Sequence, residues 1–258
     1  MNKLAIATLA VLTASSLWAV QGRIRTENDS KTGEIKWQPA SKSYAVTVKP
    51  KGGGNPVTLQ LKLEDVTHLD VAAPANYAKA VELVQRGQGA SAIGTLTKIV
   101  QEYRMLVWDK PAGRYLVEAY LAANNAQKAY ETAQAIISDD KSAAWSGDLA
   151  PAYWQALLKL GKKTQLENCL KRASASGDRP ASAAALVMRG DVILADGGET
   201  QETYRKALTD AYLRVALMYN DEPCRESRRE ALLKAASCFD KLGMAARAEG
   251  FRTQAKSI

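Results

Sequence analysis

Ala92, Leu96 and Ile99 return in kind 37 residues later as Ala129, Ala133 and Ile136, and 37 later again as Leu166, Leu170 and Ala173. A fourth set, Tyr204, Leu208 and Ala211, follows after 38. Spacing within each set is four then three, which lines up three side chains on one stripe of an α-helix. Five positions before the first member of three of the sets stands a turn residue: Gly87, Asn124 and Gly161. Helical hairpins of this kind cannot bury their apolar stripes singly, so they stack into a solenoid. Such an architecture sets no function by itself, because unrelated binding and scaffolding tasks share it.

The helical pattern begins near Asn76. A first hairpin carries Tyr77, Ala80 and Val84 and turns at Gly87. Pro111, Pro151, Pro180 and Pro223 open the next four, which turn at Asn124, Gly161, Gly197-Gly198 and Gly243. Proline suits a first helical turn, where its missing N–H has no partner in any case, and Gly or Asn suits the end, where φ turns positive. The extra Gly of Gly197-Gly198 accounts for the interval of 38. Residues 20–75 follow another rule. Short alternating runs at 33–37, 44–48, 57–61 and 66–71, with 20–25 as a further strand and Gly52-Gly53-Gly54 as a loop, predict four or five strands. That spacing is the mark of a small barrel or sandwich, with Trp37 and Tyr44 in its core. The expected fold is therefore mostly α: a solenoid of about five helical hairpins over 76–258, preceded by a small β-barrel- or sandwich-like domain over 20–75.

Residues 1–19 carry the marks of an export signal: Lys3, an apolar run from Leu4 to Leu17, and Leu17-Trp18-Ala19 as a cleavage site. The run is shorter than the roughly 20 apolar residues a spanning helix needs. No later run is long and apolar enough to span a membrane. The expectation is a soluble chain, periplasmic or secreted, cut after Ala19. Net charge is +8 and is dispersed. The densest basic cluster, Arg225, Arg228 and Arg229, is interleaved with Glu226 and Glu230, which predicts a solvated helix face with i,i+4 pairs. A nucleic-acid footprint needs a one-sided basic stripe, and the sequence has none. Dispersed positive charge suits weak attraction to anionic envelope polymers.

Three cysteines leave at least one unpaired. Cys224 and Cys238 lie on one predicted helix, about 21 Å apart at 1.5 Å per residue, beyond the roughly 7 Å a disulfide spans. Cys169 belongs to another hairpin. All three are expected to be buried as small apolar groups, with Cys224, near a helix N-terminus, the candidate for reactivity.

Motifs that carry chemistry are missing. His68, the one histidine, sits in an alternating β run, without a second His or a Cys pair at zinc-ligand spacing. Lys51-Gly-Gly-Gly-Asn55 lacks the spacing of a phosphate loop and precedes a strand rather than a helix. The paired acids Glu64-Asp65, Asp139-Asp140 and Asp221-Glu222 fall at predicted turns and helix boundaries, where carboxylates cap backbone or face water. A non-enzymatic chain without cofactor or metal is expected.

A Gly or Asn between two helices, with a small residue five positions on, is shared by Gly87/Ala92, Asn124/Ala129 and Gly243/Ala248; Gly161/Leu166 keeps the spacing with a larger residue. In these residues 76–258 resemble the tetratricopeptide repeats, although the period is 37 against roughly 34 in that family. A small β segment ahead of such repeats is similar in layout to exported bacterial proteins of this type. The resemblance implies a protein or peptide held on the concave face, lined by the first helix of each pair. Carried over position by position, that face comprises Tyr77, Val81, Arg114, Glu118, Gln155, Lys159, Met188 and Val192. The expected function is a scaffold or adaptor of the bacterial cell envelope. The alternative is a module for an anionic wall or surface polymer, using the net charge with Trp37 and Tyr44. Phe251, near the C-terminus, leaves an apolar end open to homo-oligomer formation.

Overall fold

The computed structural model describes residues 19–50 and 52–258. The expected export signal falls outside these residues, apart from Ala19. The chain forms two compact units that part after Ala72.

The first unit is one antiparallel sheet of five strands: β1 (Val20–Thr26), β2 (Ser30–Gln38), β3 (Ser43–Val48), β4 (Val57–Lys62) and β5 (Val66–Val71). Strand order is β4-β3-β2-β1-β5. Pairing of Ile35 with Val46 and of Trp37 with Tyr44 puts four large side chains on one face. All four are buried, together with Ile24 and Val71. Trp37 and Tyr44 meet with ring centroids 4.9 Å apart. They are core residues and offer no exposed aromatic platform. The expected barrel is not closed, because the sheet ends at β4 and β5 without pairing them among the described residues. β4 is polar at alternate positions (Thr58, Gln60, Lys62), β5 carries Thr67, His68 and Asp70, and the two strands bury Val71 alone, so they have too small an apolar row to fold over a second layer. His68 is exposed on the edge strand β5.

The second unit is helical. Its pairs are α1 (Tyr77–Gln85) with α2 (Gly89–Glu102), α3 (Asp109–Ala122) with α4 (Ala126–Asp139), and α5 (Leu149–Lys159) with α6 (Lys163–Ala175). In the fourth pair α7 (Arg179–Gly197) is followed by α8 (Gln201–Ala207), which passes through one π-helical turn (Leu208–Tyr212) into α9 (Leu213–Met218). The last pair is α10 (Arg225–Lys241) with α11 (Ala245–Lys256). All twelve stripe residues, from Ala92 to Ala211, are buried. They feed three cores: Ala92, Leu96 and Ile99 pack with Leu116, the next two sets around Trp154, Tyr153 and Leu157, and the fourth around Tyr212 and Phe239.

Turns between paired helices show why the interval is so regular. Gly87, Asn124, Gly161 and Gly243 all take positive φ, between 56° and 76°. In each case the next residue donates its backbone N–H to the carbonyl five positions back, as from Gln88 to Leu83 and from Lys162 to Leu157. That bond closes the left-handed helix stop in which Gly is favoured. Gly198 falls 37 residues after Gly161, so the register survives into the fourth turn. The extra residue therefore lies after Gly198 and not at the doubled Gly. It is absorbed by Thr200, whose side chain accepts the N–H of Thr203 and starts α8 one residue late.

Cys169, Cys224 and Cys238 are unpaired and buried. Cys224 differs from the sequence expectation of a reactive thiol. Its Sγ–H donates to Asp221 Oδ2 at 3.3 Å, and burial with that carboxylate pushes its pKa up to about 11. Burial raises Cys169 and Cys238 to about 11 as well. At pH 8 the folded chain should leave a thiol-specific disulfide reagent almost unreacted, with all three thiols released in denaturant. Rapid labelling of Cys224 in the native chain would contradict this burial.

Candidate functional site

Within the helical unit, α3, α5, α7 and the start of α10 surround a groove of about 320 Å³. Its apolar wall includes Leu121, Trp145, Trp154, Val187 and Met188, with Pro151 and Pro180 in the first turns of their helices and Pro223 two residues ahead of α10. Six carboxylates line it: Glu118, Asp148, Asp178, Asp191, Glu226 and Glu230.

Arg114 stands across the opening. From α3 its Nε donates to Glu118 Oε1 at 2.9 Å, and its Nη1 to Glu226 Oε2 at 3.0 Å, 112 residues further along the chain. A second guanidinium nitrogen, Nη2, meets the other oxygen of Glu226. The two glutamates hold the Arg114 guanidinium well above its ordinary pKa against the opposing effect of its burial. In return Arg114 holds Glu226 below the usual carboxylate range. A carboxylate lowered in this way contributes stability above its unfolded pKa of about 4.3 and loses it as pH falls through the lower folded value. The gap in melting temperature between the native chain and Glu226→Gln should therefore shrink as pH falls below 4. A gap that stays constant across that window would show that the contact is not formed in solution.

Deeper in the groove Asp191 collects four donations. Gln155 Nε2 approaches at 2.8 Å, the Tyr212 hydroxyl at 2.7 Å, and Lys234 Nζ reaches both carboxylate oxygens at 2.6 Å. Lys234 also pairs with Glu230 one helical turn back on α10, at 3.2 Å. Removal from water raises the Glu230 pKa, an effect opposed by Lys234 and assisted by the negative charges of Asp191 and Glu226. Burial beside Asp191 likewise raises the Tyr212 pKa, so this phenol stays a donor at all ordinary pH. Two local features place that hydroxyl. The π turn adds a residue to the helix, so that Ala211 and Tyr212 both point inward; π turns concentrate where such an offset is used. Gly190 on α7 makes room for the ring, since a Cβ there would lie 2.3 Å from Tyr212 Cε1.

Of the residues proposed from sequence, Arg114, Glu118, Gln155 and Met188 come together on this groove. The others do not. Tyr77 packs edge-on against Trp108 and Tyr115, with ring centroids at 5.1 and 6.3 Å, and its pKa is pushed up to about 12, mainly by burial. Val81 is half-buried on α1 away from the groove, and Val192 packs on the core around Trp154. Lys159 is exposed, one turn beyond Gln155, while Pro151, one turn before it, lines the wall. Sequence reasoning missed Asp148, Asp178 and Trp145, which belong to connections between pairs, and the stripe Glu226, Glu230, Lys234 on α10. The four-residue spacing of that stripe is the signal that could have found it. The face of α10 expected to be solvated is exposed at Arg225, Glu226, Arg229 and Glu230. Its acids also border the groove, while Arg225 donates to the Ile258 carbonyl and Arg228 to that of Ala216.

Among the described residues no group of three or more His, Cys, Asp or Glu side chains could hold a metal ion, and no helix is long and apolar enough to cross a membrane. Phe251 is half-buried and packs against Phe239, with ring centroids 5.2 Å apart.

What the fold defines is a stack of helical hairpins with a groove along the first helices of its pairs. No protein-family model matches the chain, and no curated protein does. Two solved structures are similar to it: the nearly identical TPR-like repeats of a kinesin light chain candidate from Podosopora anserina, and a methionine-substituted form of them. Each is 15% identical and covers 71% of this chain and 92% of its own, with TM-scores of 0.42 for the substituted form and 0.41 for the other.

Proposed function

We propose that the chain is a non-enzymatic scaffold whose helical unit holds a protein or peptide segment in the groove between α3, α5, α7 and α10. One observation carries this reading. Four first helices, from four successive pairs, converge on a single concave wall that mixes apolar side chains with polar groups already held in place by hydrogen bonds. A pre-organised wall of this kind lowers the ordering cost of binding. With the signal-like N-terminus, the reading extends to a partner in the bacterial envelope. The alternative, an anionic wall polymer, is left with dispersed charge alone, since Trp37 and Tyr44 are buried and the groove is acidic.

The test is a photo-crosslinking side chain placed at Glu118, on the groove, and in a second chain at Lys159, exposed and off it, each exposed to an envelope extract. A protein adduct formed from position 118 and not from 159 supports the reading. Equal adducts from both positions, or polymer alone, would overturn it.

A further inference from the structure

The groove runs against the sign of the chain. In a protein of net charge +8, its six carboxylates face two cations, Arg114 and Lys234, both already engaged. Asp148 and Asp178 form no ion pair among the described residues. Each occupies the position ahead of a helix, α5 or α7, yet neither makes the side-chain bond to the helix N-terminus that usually explains an acid there. Asp178 accepts only the Ser146 hydroxyl within this region, at 3.1 Å. Helix N-termini offer roughly +0.5 charge each. The three that open on the groove offset only part of the excess and leave roughly two negative charges uncompensated. These carboxylates are too dispersed to gather on one ion, as no three of them form a metal-holding group. The same groove is lined by the prolines of α5 and α7 and by Trp145, whose ring also carries the Arg172 guanidinium, 4.7 Å from its centroid; a bare amine would leave these apolar groups uncovered.

We infer that the occupant of the groove is an extended peptide segment bearing a Lys or Arg next to an apolar residue, the cation set between Asp148 and Asp178 and the apolar side chain on Trp145 and Pro180. This rests on the scaffold reading and specifies its partner. Charge complementarity of this kind steers encounter and rejects acidic segments. The volume, near the low end of ligand pockets (roughly 300–1,000 Å³), takes a few side chains and not a folded surface.

The experiment is selection from a displayed library of random linear peptides on the full chain, followed by titration of the enriched peptides in solution. Enrichment of Lys or Arg beside an apolar residue is expected, with affinity falling as salt rises. The double variant Asp148→Asn, Asp178→Asn keeps the Ser146 bond and should bind the selected peptide about tenfold more weakly, with an unchanged melting temperature. Enrichment of acidic or uncharged peptides that compete for the groove would overturn the basic occupant and leave the scaffold standing. Basic peptides indifferent to the double variant would place the contact elsewhere and overturn the assignment. No enrichment at all would sink both.

Discussion

Replacing Trp154 by Ala should cost the helical unit about 3–5 kcal/mol, the range for a large aromatic lost from a packed core. Trp154 is fully buried at the centre of the larger core, among residues from Val117 on α3 to Met188 on α7. Its indole N–H also donates to the Ala144 carbonyl at 2.8 Å, fixing the connection between the second and third pairs. Trp154→Phe separates the two contributions. It keeps most of the ring volume and leaves that carbonyl without its donor, for a loss of about 1–3 kcal/mol. Denaturant unfolding with near-ultraviolet detection measures both. A Trp154→Ala chain within about 1 kcal/mol of the native one would contradict this packing.

The second large effect is expected at Asp191. Asp191→Ala leaves Lys234 facing Glu230 alone and strips the Tyr212 hydroxyl and Gln155 amide of their acceptor. Breaking a fully buried pair from one side costs about 3–5 kcal/mol. Lys234 keeps about a quarter of its side chain in water, so about 2–3 kcal/mol is the expected loss here. The control is Asp191→Ala combined with Lys234→Met. With the orphaned cation removed, the double variant should recover part of that loss, because an apolar replacement of both partners is often neutral. A double variant that loses the sum of the two single effects would show that the pair is not coupled.

Much of this fold could be read from the chain before any coordinates. Ala92, Ala129 and Leu166 announce a buried stripe because helix periodicity and burial act within a few residues, and Gly87 or Gly161 marks a turn because positive φ is a local demand. Strands β1 to β5 were visible by alternation for the same reason. Closure of the sheet was not visible, since it depends on whether two edge strands far apart in sequence meet. The groove was only half visible. Arg114, Glu118, Gln155 and Met188 follow from counting along first helices. Their partners Glu226 and Asp191 depend on how far the stack curls, and Trp145, Asp148 and Asp178 lie where no repeat position predicts them. Lys159 shows the sensitivity of such counting, as one helical turn separates the groove wall from an exposed position.

Most hairpin stacks communicate only between neighbours, and a pull at one end extends them as an open spring. Here the guanidinium of Arg114 ties the second pair to the fifth. Glu226 is largely exposed, so the tie is weak, worth at most about 1 kcal/mol by analogy with surface ion pairs. Even so, it closes the spring into a loop. Under tension that contact is the first to part, at a force that salt lowers.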